Sequence, residues 1–129
     1  MADQLVATFM IVMGLAIAGV WTADIVRGTE VDRSRGLLRA RDSDGSLLGW
    51  HWVAEYGTAV VLLAGAVGLL ASSPWAVPVA AAALGATWYT SVNSLGWALA
   101  ERSRRAYAAP MGVGLLGSLV CLGALVASS

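Results

Sequence analysis

"AVVLLAGAVGLLASSPWAVPVAAAAL", residues 59–84, is two apolar runs joined by a short turn, with no charged residue in either run. Ser72 and Ser73 can cap a following helix, and Pro74 suits a first turn, where its missing N–H is not needed. The stretch therefore predicts a tight helical hairpin. Both of its arms are apolar around their whole circumference, not along one stripe. A helix of that kind belongs in lipid.

The rest of the chain repeats the pattern. Four stretches reach the roughly 20 residues a bilayer requires. They run from about Leu5 to Val26, Leu47 to Ala71, Ala76 to Ala100 and Tyr107 to Ala127. Barrel strands would be shorter and would alternate apolar with polar, which these do not. The expectation is an all-α integral membrane protein, a single transmembrane domain of four helices in an antiparallel bundle.

Composition agrees. The 129 residues are 58% hydrophobic and 12% charged, where soluble domains are about 25% charged. Mean hydropathy is +0.73. The 15 glycines suit close helix packing in a bilayer. "MADQ" carries no positive charge and the apolar run after it is long, so the first stretch does not read as a cleavable signal peptide.

Net charge is zero, and there is no lysine. All arginines fall in two segments, 27–46 and 101–106. The first holds Arg27, Arg33, Arg35, Arg39 and Arg41, balanced by Glu30, Asp32, Asp42 and Asp44. The second holds Arg102, Arg104 and Arg105. A nucleic-acid partner would call for a net basic face, so none is expected. Arginine excess marks cytoplasmic loops. Both segments are thus expected in the cytoplasm and both termini outside, in the inner or plasma membrane. Trp21, Trp50, Trp52 and Trp97 would sit at the cytoplasmic interface and Trp75 at the outer one. Trp88 lies deeper.

The polar residues of the spans crowd toward the arginine-bearing end. His51 and Glu55 stand four apart on one face of the second helix. Glu55 lies roughly 12 Å in, at about 1.5 Å per residue. An intramembrane charge is costly, about 2.5–3.5 kcal/mol even on the lenient scale, so a partner, water or a proton must offset it. Asn93, eight residues before Glu101 on the third helix, lies at a matching depth. Tyr89 shares a face with Asn93, and Asp24 lies near the boundary on the first helix.

Glu55, Asn93, His51, Tyr89 and Asp24 are therefore the candidate pocket. It would be open to the cytoplasm and bind an ion, proton or small ligand, with a transport-related role. The outer half is nearly all Ala, Gly, Val and Leu, which argues against a polar path across one subunit. The plainer reading is a Glu55–Asn93 hydrogen bond that sets hairpin register. His51 and Glu55 have the spacing of two metal ligands, too few for a site alone. No motif specifies a cofactor or catalysis, and the chain reads as a non-enzyme.

Small residues four apart mark helix contacts. Gly114 and Ser118, and Gly117 and Cys121, make the fourth helix the candidate surface for a homo-oligomer. The same surface serves the alternative function, an accessory subunit docked on a larger membrane complex. Cys121, the only cysteine, cannot form an internal disulfide. The similarity of "VWTADIVR" to "GWALAERSR" suggests a duplicated hairpin.

Overall fold

In a computed structural model, which describes residues 1–27, 36, 48–100 and 102–128, the chain forms four long helices. They are α1 (Ala2–Arg27), α2 (Gly49–Leu70), α3 (Ala76–Ala100) and α4 (Ala108–Ser128). A 3-10 helix, Arg102–Tyr107, leads into α4. The helices form an antiparallel bundle, each packed on the next, and the ring closes where α4 returns to α1. This last seam is the loosest of the four. Most of segment 27–46, with Arg33, Arg35, Arg39, Arg41 and its acidic residues, lies outside the described residues, as does Glu101.

Each helix buries one stripe at i, i+3/i+4 spacing. In α1 it is Val6, Met10, Met13, Ile17 and Trp21. In α2 it is Trp52, Glu55, Ala59, Leu62, Ala66 and Leu69. In α3 it is Ala80, Ala83, Thr87, Ser91, Ser94 and Ala98. Met10, Leu62 and Leu84 are the largest fully buried apolar side chains among the described residues. Beside Met10, Gly65 has no room for a side chain. A Cβ would lie 2.7 Å from Met10 Cε and 3.1 Å from the Ala80 backbone. The outward positions are apolar too, among them Leu5, Val12, Leu15, Val60, Val67 and Leu116. A water-soluble bundle would place polar side chains there.

Among the described residues, three segments are long and apolar enough to cross a membrane: α1, α2 and Arg105–Ser128, which contains α4. The chain is thus a multi-pass helical membrane protein by composition. α3, also expected to qualify, does not meet the same measure, although its 25 residues are long enough. Its second half is diluted by Thr87, Tyr89, Thr90, Ser91, Asn93 and Ser94. Several of these are satisfied locally. Thr87 Oγ1 donates to the Ala83 carbonyl at 2.9 Å, and Thr90 Oγ1 to Thr87 at 3.2 Å.

The α2–α3 turn is closed by Ser72. Its φ of 50° is left-handed. The Ser72 N–H donates to Leu69 O at 3.1 Å, and the Ser73 N–H to Gly68 O at 3.0 Å. This pair of bonds is a Schellman closure. Ser72 thus ends α2; the Ser73 carbonyl accepts the Ala76 N–H that opens α3.

Candidate ligand site at the arginine-bearing end

Glu55 lies inside the bundle, 3% exposed. Three helices surround its carboxylate. Ser94 on α3 donates its hydroxyl at 3.2 Å. His51, one turn earlier on α2, places Nε2 at 3.6 Å. The Trp21 indole N–H of α1 faces the same carboxylate. A buried carboxylate needs such neighbours, because desolvation without compensation is prohibitive. Trp21 also holds the imidazole, edge to face, with ring centroids 4.8 Å apart. His51 is half-buried, so it links the internal carboxylate to the surface of the bundle.

Trp21 continues into an aromatic row. Its ring lies 6.3 Å from Trp97 at a 50° tilt, and Trp97 lies 6.2 Å from Tyr107 at 51°. Beside the row is a cavity of about 10 Å³, bordered by Val20, Asp24, Ser94 and Met111 as well as the three rings. That is room for about one water. Ser94 therefore borders the cavity and donates to Glu55. A wider apolar cavity, about 260 Å³, adjoins it along the α1–α4 seam, between Met13, Ala16 and Ile17 on one side and Pro110, Met111 and Val113 on the other.

The structure thus brings Glu55, His51 and Asp24 to one end of the bundle. Asn93 and Tyr89 are on the outward face of α3. Asn93 is exposed and donates Nδ2 to the Tyr89 carbonyl at 3.0 Å, and Tyr89 is 65% exposed. The partner of Glu55 is Ser94, one residue beyond Asn93. Trp21 and Trp97, expected near the cytoplasmic interface, border this site. A bond that no sequence pattern marks joins α1 to α2 near it, between Thr22 Oγ1 and Tyr56 Oη at 2.6 Å. Trp52 is buried as well, whereas Trp50, Trp75 and Trp88 face outward.

The small residues of α4 point inward. Ser118 is fully buried, Gly114 meets Ser91 and Met13, and Gly117 lies against the Phe9 ring. Cys121 is partly buried against the core. Among the described residues no three His, Cys, Asp or Glu side chains cluster as a metal site, so the His51–Glu55 pair gains no third ligand there. No protein-family model matches the chain, and no curated protein or solved structure shows significant similarity to it.

Proposed function

We propose that the chain binds an ion, a proton or a small ligand in an intramembrane polar pocket centred on Glu55, with His51 and Asp24 beside it. What supports this is the burial of Glu55 next to a cavity that Ser94 and Asp24 border. Intramembrane carboxylates of this kind mark binding or proton-exchange sites by default. The arginine excess gives the orientation: pocket toward the cytoplasm, termini outside, α3 crossing with its neighbours. The same reading has the chain act within an oligomer. α4 buries only Gly114, Ser118 and Leu125, and leaves a broad apolar face outward.

The test is ligand-linked stability. A ligand that binds the folded state raises its unfolding temperature with concentration. Purified protein would be melted in nanodiscs across pH and with Na⁺, K⁺, Mg²⁺ and small organic cations. At least one should stabilise the wild type saturably and leave Glu55→Gln unmoved. If no condition separates wild type from Glu55→Gln, the reading is wrong. Labelling of Ser128→Cys in a Cys121→Ala background, from outside intact cells, checks the orientation.

A further inference from the structure

We propose that two copies of this chain meet in the bilayer through the outward face of α3, with Tyr89 and Asn93 of one copy against the same residues of the other. The proposal rests on the reading that α3 crosses the membrane and that the chain acts as an oligomer, and it names the contact.

Three observations converge. The first is polarity at mid-span. The buried stripe of α3, from Ala80 through Thr87, Ser91 and Ser94 to Ala98, faces the bundle. Gly85, Tyr89, Val92 and Gly96 are spaced by three and four and share the opposite face, with Trp88 and Asn93 on its flanks. Tyr89 is 65% exposed and Trp88 41%, and Asn93 is exposed as well. Tyr89 lies near the middle of α3, roughly 16 Å from Ala100, and Asn93 roughly 10 Å from it, at about 1.5 Å per residue. In a crossing helix, a hydrocarbon core about 30 Å thick surrounds both positions. Tryptophan and tyrosine favour the ends of a span, where headgroups meet their polar tips. At mid-span, lipid offers a phenol, an indole N–H or a carboxamide nothing to bond. Two outward hydroxyls elsewhere are met within the chain: Thr8 donates to the Gln4 carbonyl at 2.7 Å, and Thr22 pairs with Tyr56. Asn93 gives one N–H to the Tyr89 carbonyl at 3.0 Å. A carboxamide has two N–H donors and an acceptor oxygen, so much of its capacity calls for a neighbour.

The second is self-complementarity. Copies with one orientation in a bilayer pair about a two-fold axis along its normal. Each residue at such a seam meets its own counterpart at its own depth. Like charges would repel there. A carboxamide and a phenol each donate and accept, so Asn93 and Tyr89 can each bond to a second copy of themselves. Bonds of this kind hold membrane helices together.

The third is room. A Cβ on Gly85 or Gly96 would meet nothing within 4 Å, so the single bundle makes no use of their small size. They let a second helix come close on either side of Tyr89. Open glycines occur on other helices too, at Gly19, Gly57, Gly112 and Gly123; on α3 they flank polar side chains. The outward face of α4, with Val113, Leu116, Leu119 and Val120, is apolar, and lipid covers it as well as protein would.

The test is self-association in lipid. Ser128→Cys in a Cys121→Ala background would carry a donor or an acceptor fluorophore, and energy transfer between labelled copies in vesicles would be followed as lipid dilutes them. Transfer should saturate with protein density. Asn93→Ala should weaken association roughly three- to thirtyfold, and Gly96→Leu should weaken it too. Asn93→Gln keeps donor and acceptor and should stay much closer to the parent. Each variant must melt like the parent in dilute micelles, where copies are apart; if Asn93→Ala does not, Gly96→Leu carries the test. Oxidation of Val92→Cys, again without Cys121, should give a covalent dimer. Val60→Cys on α2 and Val120→Cys on α4, both exposed, should not. A dimer from Val120→Cys and none from Val92→Cys overturns the α3 contact but keeps the oligomer. Equal yields from all three record chance collision and overturn it, as does association indifferent to Asn93→Ala and Gly96→Leu. Transfer that never saturates removes the oligomer reading as well, and leaves this face to lipid or to a different protein.

Discussion

Ser94 on α3 donates its hydroxyl to the carboxylate of Glu55 on α2, 3.2 Å away and out of contact with solvent. This bond ties two helices whose direct connection is at the far end of the bundle. A hydrogen bond to a buried charged group is worth about 1.5–3 kcal/mol, and a carboxylate that loses one stays desolvated. Ser94→Ala should therefore lower stability by about 1–2 kcal/mol, measured by reversible unfolding in mixed micelles. Asn93→Ala, one residue earlier but exposed, should change it by less than about 0.5 kcal/mol. The reverse ranking would show that the two helices pack in a different register.

The α1–α2 contact supplies a second test. Thr22 Oγ1 and Tyr56 Oη are 2.6 Å apart near the same end. Tyr56→Phe removes one partner without changing shape. The pair is exposed to surroundings that can re-satisfy the threonine, so the expected loss is about 0.5–1 kcal/mol. Thr22→Val should cost about the same, and the double variant no more than either single one. Additive losses in that double-mutant cycle would mean that the two hydroxyls act separately.

Why was Ser94 less legible than Asn93? Depth is readable from a sequence, because each helical residue adds a fixed rise. Depth alone makes Asn93 and Ser94 nearly equivalent partners for Glu55. They differ by a step of about 100° around the helix. The α3 stripe of small residues, Ala80, Ala83, Thr87, Ser91, Ser94 and Ala98, is spaced by three and four in the sequence, and it is the buried face. That pattern could have chosen Ser94.

The four helices and their antiparallel order were legible from apolar length and one charge-free turn. Tryptophan positions were less so. A tryptophan near a span's end fits the interface belt or the core equally well, and only the buried stripe separates them. Trp21 falls on the α1 stripe with Ile17 and Met13, and Trp52 on the α2 stripe with Glu55 and Ala59. Trp50 falls off its stripe and faces out. The inward turn of Gly114 and Ser118 was hidden for the same reason. A small-residue motif shows that something packs closely, without saying whether the partner is in the same chain.

At the hairpin, Ser72 holds a left-handed φ of 50° to complete the closure of α2. A non-glycine residue in that region is strained by about 1–2 kcal/mol. Ser72→Gly removes the strain but loosens the unfolded chain, so a net gain of about 0.5–1 kcal/mol is expected. Ser72→Val should lose more than about 1 kcal/mol, since a β-branched residue is a poor fit there. The unfolding midpoints of the three proteins should rank Gly above Ser above Val. Indifference to both changes would rule out the left-handed turn.

α4 closes on α3 at Gly114. A Cβ there would lie 2.6 Å from Ser91 Oγ and 3.0 Å from Met13 Cε. Ser91 is buried on α3, so its hydroxyl has little room to turn away. Gly114→Ala should therefore destabilise by about 1–3 kcal/mol, the usual range for overpacking a filled core. The Ser91 Cβ, at 3.7 Å, is in ordinary contact with the added methyl. Removing only the hydroxyl should thus open the space. Ser91→Ala in the Gly114→Ala background should recover about half or more of the loss, a coupling of the size seen between touching residues, about 0.5–3 kcal/mol. If Gly114 instead faced a second copy of the chain, Ser91→Ala would rescue nothing. The Gly114→Ala defect would then appear as altered self-association in a crosslinking assay, with the stability of the single bundle unchanged.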